Sequence, residues 1–196
     1  IYLADFKEGV ELTEYGSVNQ VKKAITEVEE LEELLKEIDD ERSRRNKLFI
    51  TSGVKNLLEH TQKYPNNKLP YIILIVHKVP SILSLSPNAK KNIDKLLAKL
   101  GQLGRSSGVH VILSTQRPAQ DVITPLIKVN FNNRICLAVE DEANSEIIIG
   151  TGEGKNLRGY GHGILKRGRD KVEFQGLYIE QQDRDKIIKE NTKTPY

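Results

Sequence analysis

The chain has no methionine and no tryptophan, one cysteine and four histidines among its 196 residues. A lone cysteine cannot form a disulfide within the chain, so a secreted disulfide scaffold is excluded and a reducing cytoplasm is expected. That residue, Cys136, lies in the apolar run Ile135–Val139, where a small buried hydrophobe is expected rather than a nucleophile. His77 has no His or Cys cluster near it in sequence, so no zinc site is expected and the metal set is empty. No apolar run approaches the roughly 20 residues that span a bilayer, and no signal peptide is visible. An excess of one charge is also lacking. Thirty Lys and Arg face 27 Asp and Glu, a formal net charge of +3, so any nucleic-acid contact must come from local clusters. Without methionine there is no initiator, and the sequence opens directly in a strand-like segment. Both features lead to the expectation of a piece of a longer protein.

With 38% hydrophobic and 29% charged residues, the chain can bury one sizeable core and stay soluble. Two runs organise it. Tyr71-Ile-Ile-Leu-Ile-Val-His-Lys78 and Val109 to Ser114, continuing into Thr115-Gln-Arg-Pro118, are strand-forming and apolar, then stop at polar side chains. Buried parallel strands have this form, and ligands in open α/β sheets sit outside their carboxyl ends. Chemistry is therefore expected at His77-Lys78 and at Thr115-Gln116-Arg117.

Along the chain, Ile1–Asp5 reads as a strand and residues 6–15 as a loop. A long helix is expected from Ser17, capped by Ser17 or Asn19, because Val21, Ala24, Ile25, Val28, Leu31, Leu34, Leu35 and Ile38 recur at helical steps. A short helix at 54–64 and a turn at 65–70 precede the 71–76 strand. Ser86-Pro87 opens a helix buried through Ile93, Leu96, Leu97, Leu100 and Leu103. Gly104 and Gly108 bracket its end. Then follow a strand at 109–114, a short helix near 121–127, a strand at 134–139, a helix at 142–149 and a glycine-rich loop. Paired strands at 163–166 and 172–178 and a helix at 183–190 close the chain, with a frayed tail at 191–196. Alternating strands and helices imply an α/β fold with a mostly parallel sheet covered on both faces.

Five segments, in this order, resemble the motor domain of FtsK/SpoIIIE-family DNA translocases: Leu3-Ala-Asp-Phe-Lys-Glu-Gly-Val-Glu11, Tyr71–Val76, Gly104-Arg-Ser-Ser-Gly-Val-His-Val-Ile-Leu-Ser-Thr-Gln-Arg-Pro118, Asp121–Asn130 and Leu157-Arg-Gly-Tyr-Gly161. The resemblance implies a RecA-like P-loop NTPase core with helices flanking the sheet and a C-terminal β-hairpin. It also implies ATP and magnesium as cofactors of the intact parent, a homo-hexameric ring and double-stranded DNA as partner. Residues 1–190 would be a partial motor domain and 191–196 a flexible tail. The family's phosphate loop lies upstream of the strand matched by Ile1–Asp5, so this chain by itself is expected to be inactive and to hold no nucleotide tightly. Any membrane link would come from segments outside it.

The resemblance also assigns roles. His77 and Lys78 stand where the family has its acidic Walker B pair, which orients magnesium and polarises water. Gln116 matches a polar sensor; its plainer reading is a satisfied strand-end amide. Arg105 resembles an arginine finger acting on a neighbour's nucleotide; its plainer reading is a surface salt bridge. Thr115 and Arg117 are candidate nucleotide contacts. Lys90, Lys91 and Lys128 are candidate DNA contacts, beside Lys95 and the group Lys166, Arg167, Arg169 and Lys171; solvated faces and a snorkelling Lys128 are the alternatives. Gly150-Thr-Gly-Glu-Gly-Lys-Asn156 imitates a phosphate loop, but its spacing is wrong and it follows a helix, so a plain loop is expected. The chief rival to a motor is a non-catalytic ring or scaffold subunit that partners an active ATPase.

Overall fold

The computed structural model describes residues 1–7 and 11–192. Its four-stranded sheet is wholly parallel, in the order β2 (Lys23–Ile25), β1 (Tyr2–Asp5), β3 (Ile72–His77), β4 (Val109–Ser114). Two long helices, α1 (Leu31–Ser52) and α3 (Pro87–Ser107), pack on each other over one face. The short α2 (Leu57–Lys63) lies between them in sequence. That face carries Tyr2, Ala4, Ile72, Leu74, Val76 and Val109, which share a core with Leu31, Leu34, Leu35 and Ile38 of α1 and Ile93, Leu97 and Leu100 of α3. The α1 residues are at most 1% exposed, and each contributes roughly 1.5–3 kcal/mol by burial.

Local chemistry sets the helix ends. Acidic Glu32 and Glu33 occupy the first turn of α1 and favour its positive end. For α3, Ser86 Oγ accepts from Ala89 N at 3.3 Å and Pro87 takes the first position. Its end needs glycine: Gly108 has φ +74°, and a Cβ there would run into Leu57 Cδ2.

The two faces of the sheet are covered unequally, although Leu3 on the second face is still only 4% exposed. On the second face Ile73 and Ile75 are half-buried and Ile112 is 51% exposed, because both long helices lie on the other side. The helix expected from Ser17 begins only at Leu31. Residues 23–25 instead form β2, which satisfies the backbone of β1 through Tyr2↔Lys23, Leu3↔Ala24 and Ala4↔Ile25. The helical spacing of Val21, Ala24, Ile25 and Val28 was coincidental, and an unpaired strand edge outweighed it.

After β4 comes α4 (Pro125–Asn130), later than the expected 121–127. Residues before a proline avoid the helical region, so Thr124 caps rather than joins the helix. The strand expected at 134–139 is β5 (Asn133–Leu137), and it does not join the parallel sheet. It pairs antiparallel with β6 (His162–Arg167), which pairs antiparallel with β7 (Asp170–Gln175). This second sheet packs Cys136 and Ile164 against Ile149 of α5 (Glu142–Ile149). Arg134 joins the two parts: its guanidinium donates to the carbonyls of Phe131 (3.0 Å), Ile148 (3.2 Å) and Lys128. Finally α6 (Gln181–Asn191) returns to the start of the chain, where Asn19 N donates to Asn191 O at 2.8 Å. The tail expected at 191–196 lies, from 193 on, outside the described residues. No described helix is long and apolar enough to cross a membrane.

Candidate nucleotide-site region at the strand tips

Three strands end side by side. The register sets Asp5 of β1 beside His77 of β3, and His77 beside Ser114 of β4. His77 Nδ1 lies 2.9 Å from Ser114 Oγ, and its Nε2 lies 2.8 Å from Glu11 Oε2. Glu11 also pairs with Lys7. The imidazole is thus held between a hydroxyl and a carboxylate, with only 16% of its side chain exposed.

Asp5 anchors the loop that delivers Glu11. It is 2% exposed. Its carboxylate accepts from the backbone N–H groups of Lys7 (3.1 Å), Glu11 (2.9 Å) and Leu12 (2.7 Å). Burial alone would raise its pKa. The three N–H donors, led by Leu12, together with the charge of His77 outweigh burial and hold it below the usual carboxylate value. This depressed pKa stabilises the fold above about pH 4, the unfolded value, and the contribution disappears as pH falls through the lower folded value. Asp5→Ala is expected to cost about 2–3 kcal/mol at pH 7, because three N–H groups lose a charged acceptor. The difference from wild type should shrink in urea melts run below pH 4; an equal difference at pH 7 and pH 3 would contradict this account.

Lys78 follows in a left-handed conformation, φ 60° and ψ 54°. For a non-glycine residue this costs on the order of 1–2 kcal/mol. It turns the chain sharply off the strand tip. At the neighbouring tip Thr115 Oγ1 both donates to Arg117 O and accepts from Arg117 N, each at 3.0 Å. That hydroxyl is committed to its own turn. Gln116 is exposed, with no side-chain hydrogen bond among the described residues. Arg117 is exposed and lies 3.5 Å from Asp121.

Arg105 lies elsewhere. It sits in the last turn of α3, before the amino end of β4. Six residues of strand, about 20 Å, separate that end from Gln116. It is exposed and makes no ion pair among the described residues. The candidate DNA lysines are dispersed. Lys90 Nζ donates to Asp121 O at 2.9 Å, Lys91 is exposed, and Lys128 is half-buried with its pKa lowered by burial and then by Arg134. Of the second group, Lys166 is bound to Ile149 O (2.7 Å) and Lys171 to Glu153 (2.6 Å). The Gly150–Asn156 loop is a tight turn whose groups are used internally. Gly154 N donates to Ser145 Oγ at 2.8 Å, Lys155 faces Glu142, and a Cβ on Gly154 would come within 2.6 Å of Cys136 Sγ.

The tip does not fit a magnesium ion. Where a hard oxygen ligand is needed it presents an imidazole with a partner beside each nitrogen, followed by a lysine. No group of three or more His, Cys, Asp or Glu among the described residues is arranged to hold a metal. Asp5, Glu11 and Ser114 are the tip residues that sequence reasoning missed. The signal for Asp5 was the one used for His77, an apolar strand ending in a polar residue.

The model of the FtsK/SpoIIIE family matches residues 1–120. The chain belongs to the FtsK/SpoIIIE family. It is 31% identical over 186 residues to the DNA translocase SftA of Bacillus subtilis and 30% identical over 191 residues to the DNA translocase SpoIIIE of the same organism. Each match covers 91% of this chain but only 19% and 24% of those relatives. Among solved structures it superposes on the pCW3 conjugation coupling protein TcpA, determined with ATPγS, at a TM-score of 0.84 with 32% identity; the match covers 96% of this chain and 55% of that one. The cytoplasmic domain of the Thermomonospora curvata type VII secretion ATPase EccC matches at a TM-score of 0.78 with 22% identity, over 97% of this chain and 24% of that one, a likeness of fold. The expected RecA-like P-loop NTPase core is the fold of this FtsK/SpoIIIE member.

Proposed function

We propose that the chain is the C-terminal part of the motor of an ATP-driven translocase of double-stranded DNA, serving chromosome, plasmid or conjugative-element transfer. What carries the reading is identity of 30% or more, across most of the chain, with DNA translocases and with a conjugation coupling protein. Residues 1–190 form part of one motor domain. In the intact protein six copies close a ring in the cytoplasm, and any membrane link lies in other segments. The nucleotide belongs at the junction of two copies. Gln116, with Thr115 and Arg117 beside it, faces it from one copy; Arg105, at the far end of β4, reaches it from the next. Lys90, Lys91 and Lys128 are the candidate contacts to DNA phosphates, which would make binding salt-sensitive and independent of sequence.

A second reading, a non-catalytic ring subunit partnering an active ATPase, is favoured by one observation. His77 is lodged between Ser114 and Glu11 where the motor needs a metal-orienting acid. In that case the tip is a structural pair and hydrolysis occurs in the partner.

The test uses Arg105. In the full-length protein carrying His77→Asp and Lys78→Glu, Arg105→Ala is expected to reduce ATP turnover at least about 10³-fold with nucleotide affinity nearly intact. Mixing it with a variant disabled in the phosphate loop should restore part of the activity at mixed interfaces. Equal loss of affinity and turnover, or no complementation, would count against action on a neighbour.

A further inference from the structure

Away from the strand tips, acidic side chains gather beside a hollow on the helical side of the sheet. Glu27-Val-Glu-Glu-Leu-Glu-Glu33 holds five acids in seven residues, in a chain whose net charge is +3. Val28 and Leu31 pack into the core. Glu27, Glu29, Glu30 and Glu33 are exposed and make no ion pair among the described residues. The positive end of α1 accounts for acids near its start. It does not account for the hollow that two of them border. Where the lead-in to α1 meets the start of α3, Glu29 and Glu32 line a cleft of about 370 Å³ together with Leu85, Ala89 and Ile93. The floor is apolar: Ile93 is fully buried, and Leu85 rests half-buried on the core. A second hollow of about 350 Å³ shares Glu32 as a wall and runs between the same two helices, past Leu96, to Lys36 and Lys95. Lys36 is bound to Glu32 at 2.7 Å. Lys95 is exposed and has no ion pair among the described residues.

We propose that this furrow docks a peptide segment of a partner protein, in which a large apolar side chain stands between basic residues on one side and an acidic residue on the other. The apolar side chain fills the cleft over Leu85 and Ile93. The basic residues lie over Glu29 and Glu32, and the acid meets Lys95. Size favours a side chain over a larger ligand, because the cleft is at the small end of ligand pockets, roughly 300–1,000 Å³. Shape favours a peptide. The two hollows follow the same helices one turn apart, about 5.4 Å, close to the spacing of alternate residues in an extended chain. An apolar anchor supplies most of the affinity of such a contact, and the charges around it set orientation and speed of encounter. Charge also decides what does not bind. The starts of α1 and α3 would suit an anion, but the carboxylates at the mouth oppose one, and duplex DNA carries phosphate along its whole length. The furrow therefore serves a partner other than DNA.

Selection from a random peptide library on immobilised full-length protein, followed by fluorescence anisotropy of the enriched peptides, tests this. Enriched peptides are expected to carry Leu, Ile, Phe or Met between Lys or Arg and Asp or Glu. Ala89→Leu lengthens a side chain that lines the cleft, and Glu29→Lys reverses the charge at its mouth. Each is expected to weaken binding at least about tenfold, the scale of one lost anchor contact. Peptides whose basic residues are changed to Glu should recover part of the loss on Glu29→Lys and none on Ala89→Leu. That recovery also shows that the Glu29→Lys variant is folded, and thermal melting checks Ala89→Leu. Enriched peptides without this pattern, or peptides that bind both variants as they bind the native protein, would overturn the proposal. So would oligolysine binding as tightly as the enriched peptides, which would reduce the furrow to charge alone, or displacement of the peptides by duplex DNA.

Discussion

Arg45→Ala is expected to destabilise the fold by about 3–5 kcal/mol, a large part of the total stability of an ordinary domain. Arg45 is 2% exposed in the middle of α1. Its Nη1 donates to Pro70 O at 2.7 Å and to Ser107 O at 3.0 Å, and its Nε donates to Glu41 at 2.8 Å. One guanidinium thus ties α1 to the segment entering β3 and to the last turn of α3. Truncation leaves the buried Ser107 carbonyl and the part-buried Pro70 carbonyl without this donor, and Glu41 with Arg44 as its remaining partner. The Glu41 carboxyl, held down to about 2 chiefly by Arg44 and also by Arg45, stabilises the fold above about pH 4.3, and that contribution is lost as pH falls toward 2. Urea unfolding at pH 7 measures the loss. A cost under about 1 kcal/mol would mean that water replaces the guanidinium at those carbonyls. Arg45→Lys should recover only part, since one ammonium cannot reproduce the planar fork.

Changing His77→Asp and Lys78→Glu in the full-length protein is expected to raise ATP hydrolysis by about 10²-fold or more, the scale of a general base. The new aspartate would stand beside Asp5 in the register and near Glu11. Without metal, carboxylates so placed repel one another, and the variant should melt below the native protein. Hard oxygens at a strand tip are what magnesium prefers, so magnesium should restore the melting temperature of the variant and leave the native protein unmoved. The glutamate would supply a base at the position where Lys78 now places a positive charge. Loss of stability that magnesium does not reverse would place the metal position elsewhere.

The strands that carry the tips were legible because β3 and β4 are unbroken apolar runs, and α3 because Ser86-Pro87 and Gly108 mark both ends in local chemistry. The start of α1 was not legible. Val21 to Val28 satisfies helical spacing, and only the unpaired edge of β1, a long-range matter, makes 23–25 a strand. The fate of β5 was hidden for the same reason, since alternation of strands and helices does not say which sheet a strand joins. At the site, residue types revealed that His77 and Lys78 break the family pattern. They could not reveal that Glu11 reaches back to His77, because that contact depends on three backbone N–H groups converging on Asp5. Leu103, placed among the buried residues by its spacing, is 42% exposed because it lies at the margin of the α3 face that meets α1 and the sheet.

Phosphate release by full-length protein, with and without double-stranded DNA, compares the native His77-Lys78 form with the doubly substituted form most directly. Little release is expected from the native form under either condition, and DNA-stimulated release from the protein carrying His77→Asp and Lys78→Glu. If the native form hydrolyses ATP as fast as the variant, or if duplex DNA stimulates neither, the assignment of this strand tip to the metal position of a DNA-driven motor is wrong.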